Sequence, residues 1–345
     1  MSITEDATRG HRPDEVLARN RALFEPALRA AVEGLPPAVS SVAAYHFGWR
    51  DENGAPDDAV SGKAIRPALA LLAAEAVGAP PSSALPGAVA VELVHNFSLL
   101  HDDVMDGDTT RRHRPTAWAV FGADAAILTG NALLTLALDV LAASGHDAAR
   151  NGLRMLSATV LALINGQRAD LDFEHRRDVA LEECVRMAEG KTSALLGCAC
   201  AIGAAFGGGG DRVEPLGEFG RSFGTAFQHV DDLLGIWGSP HITGKPVYSD
   251  LRSRKKSLPV VAALNSDTPA GRELADLYLR DGELSEAEVA HAARLVDAAG
   301  GRGWSRNQAD TLLERALDAL HSIDPVPGPA RELGALARFA VHRTH

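Results

Sequence analysis

The sequence predicts an all-α protein built as a single multi-helix domain. Three observations carry that prediction. Alanine and leucine dominate a chain of 345 residues that is 46% hydrophobic and only 5% aromatic, and runs of strand-favouring Val, Ile and Thr are few. Apolar residues recur at helical spacing over long stretches. No segment alternates apolar with polar residues, and no Asn-Gly turn separates two β-rich runs.

Taken in order, the first dozen residues, "MSITEDATRGHR", are polar and charged. With no apolar stretch they read as a disordered N-terminus and not as a signal peptide, so the domain is expected over 13–345. Pro36-Pro37, "DENGAPDD" at 51–58, "GAPPSS" at 78–83, "ASGHD" at 143–147, "GGGGD" at 207–211 and "PVPGP" at 325–329 are breaks between helices. Val89, Leu93, Phe97 and Leu100 form one helical stripe, and His95, Leu99, Asp102 and Asp106 a second on the same helix. Residues 154–167, 184–205 and 310–320 also carry helical spacing. The uncharged run at 125–138 has 14 residues and the run at 194–206 has 13. A membrane span needs roughly 20, so both are expected as buried core helices.

Charge narrows the function. With 45 acidic and 34 basic residues the net charge is −11, which excludes the global basic field of a nucleic-acid binder. Any anion must be held locally. Cys184, Cys198 and Cys200 have no second Cys or His pair at zinc spacing and read as buried thiols of a protein in a reducing cytoplasm.

The chemistry concentrates in "LLHDDVMDGDTTRRHRPT" at 99–116. Asp102, Asp103, Asp106 and Asp108 put four carboxylates in seven residues, and Arg111, Arg112 and Arg114 follow. Asp102 and Asp106 are one helical turn apart and point the same way, with Asp103 about 100° round. Oxygen ligands from one or two aspartates suit magnesium, which keeps several waters and shares its other positions with substrate phosphates. A merely solvated acidic helix end fits poorly with the apolar lead-in and the basic cluster.

This stretch resembles the first aspartate-rich motif of the trans-type isoprenyl diphosphate synthases, DDxxD followed by paired arginines. Further segments match in the family's order. "SGKAIRPALALLAAEA" at 61–76 is similar to its Gly-Lys-x-x-Arg-Pro element, with Ser61 in place of a glycine and Ala64 in place of an arginine. "GQRADLDF" at 166–173 is similar to its Gly-Gln-x-x-Asp stretch, and "EGKTSALLGCACAIGA" at 189–204 to its Lys-Thr helix. "FQHVDDLLGIWGSPHITGKPVYSDLRSRKKSLPVV" at 227–261 resembles the second aspartate-rich motif, except that Gly235 replaces the last aspartate.

The resemblance implies a helical bundle around a central cavity, of the isoprenoid synthase type. It also implies a homodimer that condenses an allylic diphosphate with isopentenyl diphosphate. Asp102, Asp106 and Asp231 would hold three Mg2+ ions around the allylic diphosphate, with Asp103 and Asp232 beside them. Arg111, Lys191, Thr192, Gln228, Lys245 and Lys255 would complete that cage. Lys63, Arg66, His95 and Arg112 would hold the isopentenyl diphosphate. Released diphosphate could take the proton, which accounts for the lack of any Ser/His/Asp or Cys/His constellation. A glycine at 235 leaves one carboxylate fewer, at a helix cost on the order of 1 kcal/mol. Since the motif's first aspartate carries the metal, restoring the acid with Gly235→Asp is expected to change activity little. Phe97 and Ser98, the fifth and fourth residues before Asp102, would help set product length. An aromatic at the fifth position alone resembles geranylgeranyl (C20) synthases, with farnesyl (C15) next. Two rivals remain at this point, a class I terpene cyclase and a non-catalytic partner subunit of a prenyl synthase. Lys63, Arg66 and Arg112, together with the scarcity of aromatics, argue against the first. The intact aspartates argue against the second.

Overall fold

In the computed structural model, residues 12–57, 62–240 and 246–342 are described; the expectations for residues 1–11, Ser61 and Lys245 lie outside them. Helices α1 (Pro13–Glu33), α2 (Pro37–His46), α3 (Ile65–Ala76) and α4 (Leu85–Met105) come first. A two-stranded hairpin follows, β1 (Thr110–Arg111) with β2 (Arg114–Pro115), then α5 (Ala117–Phe121), α6 (Ala123–Ala143) and α7 (Ala149–His175). α8 (Leu181–Ala188), α9 (Ala194–Phe206), α10 (Val213–Trp237), α11 (Ser249–Arg252) and α12 (Leu258–Leu264) complete the middle of the chain. α13 (Pro269–Tyr278), α14 (Glu286–Ala298), α15 (Gly301–His321) and α16 (Pro327–Val341) close it. The all-α expectation holds.

Local chemistry explains where several helices start. α1 opens on Pro13 with Asp14 and Glu15 in its first turn, and the Arg12 N–H donates to Glu15 Oε2 at 3.1 Å. Thr268 caps α13 by accepting from the Gly271 N–H at 3.0 Å. Ser285 and Glu288 form a reciprocal capping box at α14. In α4 the expected stripe of Val89, Leu93, Phe97 and Leu100 is wholly buried.

Two compact units result. One comprises Met1–Ala158, Cys198–Gly217 and Leu320–Ala335, the other Thr159–Gly197, Glu218–Ala319 and Leu336–His345. The first is centred on the buried leucines of α3, α4 and α6, among them Leu69, Leu72, Leu93 and Leu133. The second has one cluster around Ile236, Leu251, Val260, Leu274 and Tyr278 and another around Phe173, Cys184, Met187, Leu258 and Val261. All three cysteines are buried, and none is in a disulfide.

Three details depart from the sequence reading. The uncharged run at 125–138 lies within α6, a 21-residue helix that passes through both flanking aspartates. Its most apolar window is only 33% buried, so α6 is not the core helix expected. It and Pro81–Met105 are long and apolar enough to cross a membrane by length and composition alone, although the latter is largely buried and ends in the acidic motif. Second, the helix expected over 184–205 is interrupted by a π turn at Glu189–Ser193. Third, a hairpin forms without glycine or asparagine at its turn, because Arg112 (φ 51°) and His113 (φ 65°) both take the left-handed conformation. Two-residue hairpin turns require that conformation, and it is costly for such side chains. The strain fixes the direction in which Arg112 leaves the chain.

Candidate active site

The first acidic motif lies at the C-terminal end of α4. Asp102 stands in its last turn and Asp106 at its cap, joined by a helical hydrogen bond from the Asp106 N–H to Asp102 O at 2.8 Å. The expected one-turn spacing is therefore kept. The C-terminus of a helix carries partial negative charge, so carboxylates here need a cation. Asp103 pairs with Arg111. It is 2% exposed and receives Arg111 Nε at 2.8 Å and Arg111 Nη2 at 2.7 Å. Burial raises the Asp103 pKa and the Arg111 bond opposes it. Burial also works against the Arg111 charge, but Asp103, Asp102 and Asp108 outweigh it, so that pKa rises. Asp102 and Asp106 reach the surface, in contrast to Asp103.

The three arginines do different work. Arg114 pins the hairpin to α2 by stacking 4.5 Å from the centre of the Tyr45 ring, while Tyr45 Oη donates to Pro115 O at 2.9 Å. Arg112 joins a cationic group that extends beyond the motif. Its guanidinium lies so close to Gly62 that a Cβ there would stand 2.5 Å from Nη2. Arg21, on α1, donates to Gly62 O from the same neighbourhood. Arg112 reaches the surface, yet enough of it is desolvated that this, with Arg111 beside it, lowers its pKa. Burial likewise lowers Arg66, opposed by Glu92, and Arg66 Nε is a buried donor without a partner among the described residues. Burial, then Arg66, Arg112 and Arg111, depress His95 well below its ordinary range. His46 falls to about 3 through burial and the two motif arginines. The result is a guanidinium group with Glu92 as its buried counter-charge and two neutral imidazoles, which suits a polyanion. Lys63 is exposed, just ahead of α3.

In the other unit, two glycines create the second group. A Cβ on Gly166 would overlap the backbone N of Lys191 and come within 2.9 Å of Gly190 C, and one on Gly190 would meet Ala162 O at 2.8 Å. Only glycine lets α7 and the π turn approach so closely. One helical turn beyond Gly166, Asp170 then meets Lys191 Nζ at 2.5 Å. π turns in helices often mark functional positions, and this one displays Lys191 and Thr192. Thr192 Oγ1 donates to Gln228 Oε1 at 2.6 Å, Gln228 Nε2 to Asp232 Oδ1 at 2.7 Å, and the Leu258 N–H to Asp232 Oδ2 at 2.9 Å. Burial pushes Asp232 up to about 7, against the pull of Lys255. Burial also opposes the Lys255 charge, but Asp232, Asp250, Asp170 and Asp231 hold its ammonium above the ordinary range.

Several residues here escaped sequence reasoning as individual contributors. Arg21 sits on a different helix, far from any motif, and carried no signal. Glu92, three residues before His95, was legible as its helix neighbour. Gln167 lies inside the matched Gly-Gln-x-x-Asp stretch, and both polar atoms of its buried amide lack a partner among the described residues. Asp250 is the most consequential, because its carboxylate stands against the bare backbone at Gly235. A Cβ at 235 would overlap Asp250 Oδ2 and approach its Cγ to 2.5 Å. An aspartate there would therefore crowd one carboxylate against another.

Buried neutral histidines make the fold sensitive to acid. His46 (about 3) and His229 (about 4) are depressed chiefly by burial, and so is His95. Unfolding restores pKa values near 6.5. The unfolded chain therefore binds more protons below pH 6.5, and stability is complete above that pH and lost as it falls towards 4. The expected loss by pH 5 is up to about 2 kcal/mol per histidine. Thermal melts between pH 7.5 and 5 should show a falling Tm whose slope is reduced by His229→Gln; a flat profile would contradict the assignment.

The polyprenyl synthetase family model matches residues 57–296, and the chain belongs to that family, the trans-isoprenyl diphosphate synthases; it is a prenyltransferase. It is 49% identical to the (2E,6E)-farnesyl diphosphate synthase of Mycobacterium tuberculosis over 332 residues, 95% of this chain and 92% of the relative. It is 44% identical to the geranylgeranyl diphosphate synthase of the same organism over 330 residues, 95% and 93% of the two chains. The crystal structure of a polyprenyl synthetase from Streptomyces coelicolor A3(2) superposes with a TM-score of 0.91 at 49% identity, covering 95% of this chain and 99% of the other.

Proposed function

We propose that this prenyltransferase joins an allylic diphosphate head-to-tail to isopentenyl diphosphate, with Mg2+ as its metal and a C20 product. The observation that carries the reading is the provision for two kinds of anion contact in one chain. Carboxylates stand at the negative end of α4, where a divalent cation would be stabilised, and partly desolvated guanidinium groups gather near Glu92. The donors fit magnesium. Among the described residues no three His, Cys, Asp or Glu side chains form a metal cage, so oxygen atoms of a diphosphate would complete a shell begun by Asp102, Asp106 and Asp231. Three ions is the number we propose. When bound, magnesium would stabilise charge on the departing diphosphate.

The chain's own groups have the remaining roles. Lys191, held by Asp170, and Lys255, charged among its carboxylates, would bind the allylic diphosphate together with Arg111, Thr192, Gln228 and Lys245. Asp103 orients Arg111, and Asp232 orients Gln228. Arg66, Arg112, Lys63 and His95 would bind the isopentenyl diphosphate and set its double bond against the developing cation. Diphosphate arriving beside neutral His95 would raise its pKa, so binding there draws a proton.

Phe97, buried with its ring edge-on to His101 at 4.8 Å, supports geranylgeranyl diphosphate as product. The 49% identity to a farnesyl diphosphate synthase supports the C15 reading as the second. We also propose a homodimer, in which a second copy covers the apolar face of α6 that bears Leu128, 62% exposed. Buried cysteines outside any disulfide suit a reducing compartment, the basis for proposing a cytoplasmic enzyme. The test is incubation with Mg2+, labelled isopentenyl diphosphate and dimethylallyl, geranyl or farnesyl diphosphate, followed by phosphatase treatment and chromatography. Labelled C20 alcohol is expected. A C15 endpoint would transfer the chain to the second reading. Unlabelled cyclic hydrocarbon, or turnover only with an added partner subunit, would contradict both.

A further inference from the structure

The position of the carboxylate absent from the second acidic motif is covered by a later segment of the chain. Position 235 lies one helical turn after Asp231 on α10, and Gly235 leaves the backbone bare there. Residues 248–250 pack onto that bare patch. The Tyr248 N–H donates to Ile236 O at 3.0 Å, and Ser249 Oγ donates to Gly235 O at 3.1 Å. Ser249 Oγ also lies 3.3 Å from Asp250 Oδ1, which holds the carboxylate over the glycine. All three atoms closest to a Cβ built on residue 235 belong to the Asp250 carboxylate. The same carboxylate is among the charges that keep Lys255 protonated, with Asp232, Asp170 and Asp231.

We propose that Asp250 takes over the role of the acidic residue absent at 235, placing its charge beside Asp231 to strengthen binding of the magnesium–diphosphate pair. The exchange is reciprocal. The glycine makes room for the carboxylate, and the carboxylate supplies what the glycine lacks. Asp250 is a positioning residue under this assignment, which rests on the proposed magnesium-dependent use of Asp231. Its backbone has separate work, since Tyr278 Oη donates to Asp250 O at 3.4 Å and the Lys255 N–H to Asp250 O at 2.9 Å. Side-chain substitution leaves those bonds in place.

The experiment is calorimetric binding of inorganic pyrophosphate in excess Mg2+, with Tm measured for every variant to confirm folding. Asp250→Asn, nearly isosteric, is expected to weaken binding about tenfold or more, the scale of a lost supporting contact at a metal site. Gly235→Asp alone should lower Tm and bring no gain in affinity. Gly235→Asp combined with Asp250→Ala should return affinity to within a few-fold of wild type, because the charge is restored from the helix side. A purely structural role for Asp250 would show no such rescue. Wild-type affinity in Asp250→Asn, or a double variant as weak as Asp250→Ala, would overturn the proposal. Failure of the wild-type protein to bind magnesium pyrophosphate would instead overturn the underlying functional reading.

Discussion

Replacing Asp102 with alanine is expected to reduce turnover about a thousandfold or more while leaving Tm unchanged or slightly higher. The two halves of that expectation have separate causes. Removing preorganised stabilisation of developing charge typically costs two to three orders of magnitude, and here the carboxylate would also carry the cation that neutralises the leaving group. In the resting fold, however, Asp102 sits in the last turn of α4, where a negative charge opposes the helix dipole by roughly 0.3–1 kcal/mol. Asp103→Ala should behave in the opposite sense for stability. It removes the buried partner of Arg111, and losing a charged hydrogen-bonded pair that keeps some solvent access costs about 1–3 kcal/mol. Parallel melts and kcat measurements distinguish the neighbours; equal Tm losses would show that the α4 end has been misread.

Gly166→Val should be severely damaging in the other unit, both to stability and to turnover. The added Cβ would overlap the Lys191 backbone N and press on Gly190 C at 2.9 Å. Neither atom belongs to a side chain that can swing away. α7 and the π turn must then separate, at a cost of about 1–3 kcal/mol or more for overpacking. Separation also breaks the 2.5 Å contact of Lys191 with Asp170 and shifts Thr192 from Gln228. The expected readout is a lower Tm together with a kcat loss that persists well below the new Tm. A variant that is destabilised yet fully active at low temperature would show that Lys191 placement does not depend on this glycine contact.

Much of this arrangement is legible in the sequence. The four-residue spacing of Asp102 and Asp106 is a helical property and survives in α4. The order of the lysine, arginine and aspartate motifs identified the family. What the sequence could not show were interactions between segments far apart in the chain. Arg21 reaches Gly62 across 41 residues, and Asp250 covers position 235 from a separate helix. The hairpin was missed because its turn, Arg112-His113, uses residues that take positive φ only under strain. The π turn was missed because an inserted residue leaves the apolar spacing of 184–205 nearly intact. α6 was read as core because apolar composition says nothing of which face is covered.

In the proposed reaction the carboxylates of both acidic motifs would engage the allylic diphosphate through magnesium. Calorimetric titration with farnesyl thiodiphosphate, an unreactive analogue, tests it most directly. With Mg2+ present the wild-type protein should bind, and affinity should fall about 100-fold or more with EDTA, with Asp102→Asn or with Asp231→Asn, while isopentenyl diphosphate still binds without metal. Analogue binding that is indifferent to EDTA and to both substitutions would contradict the account.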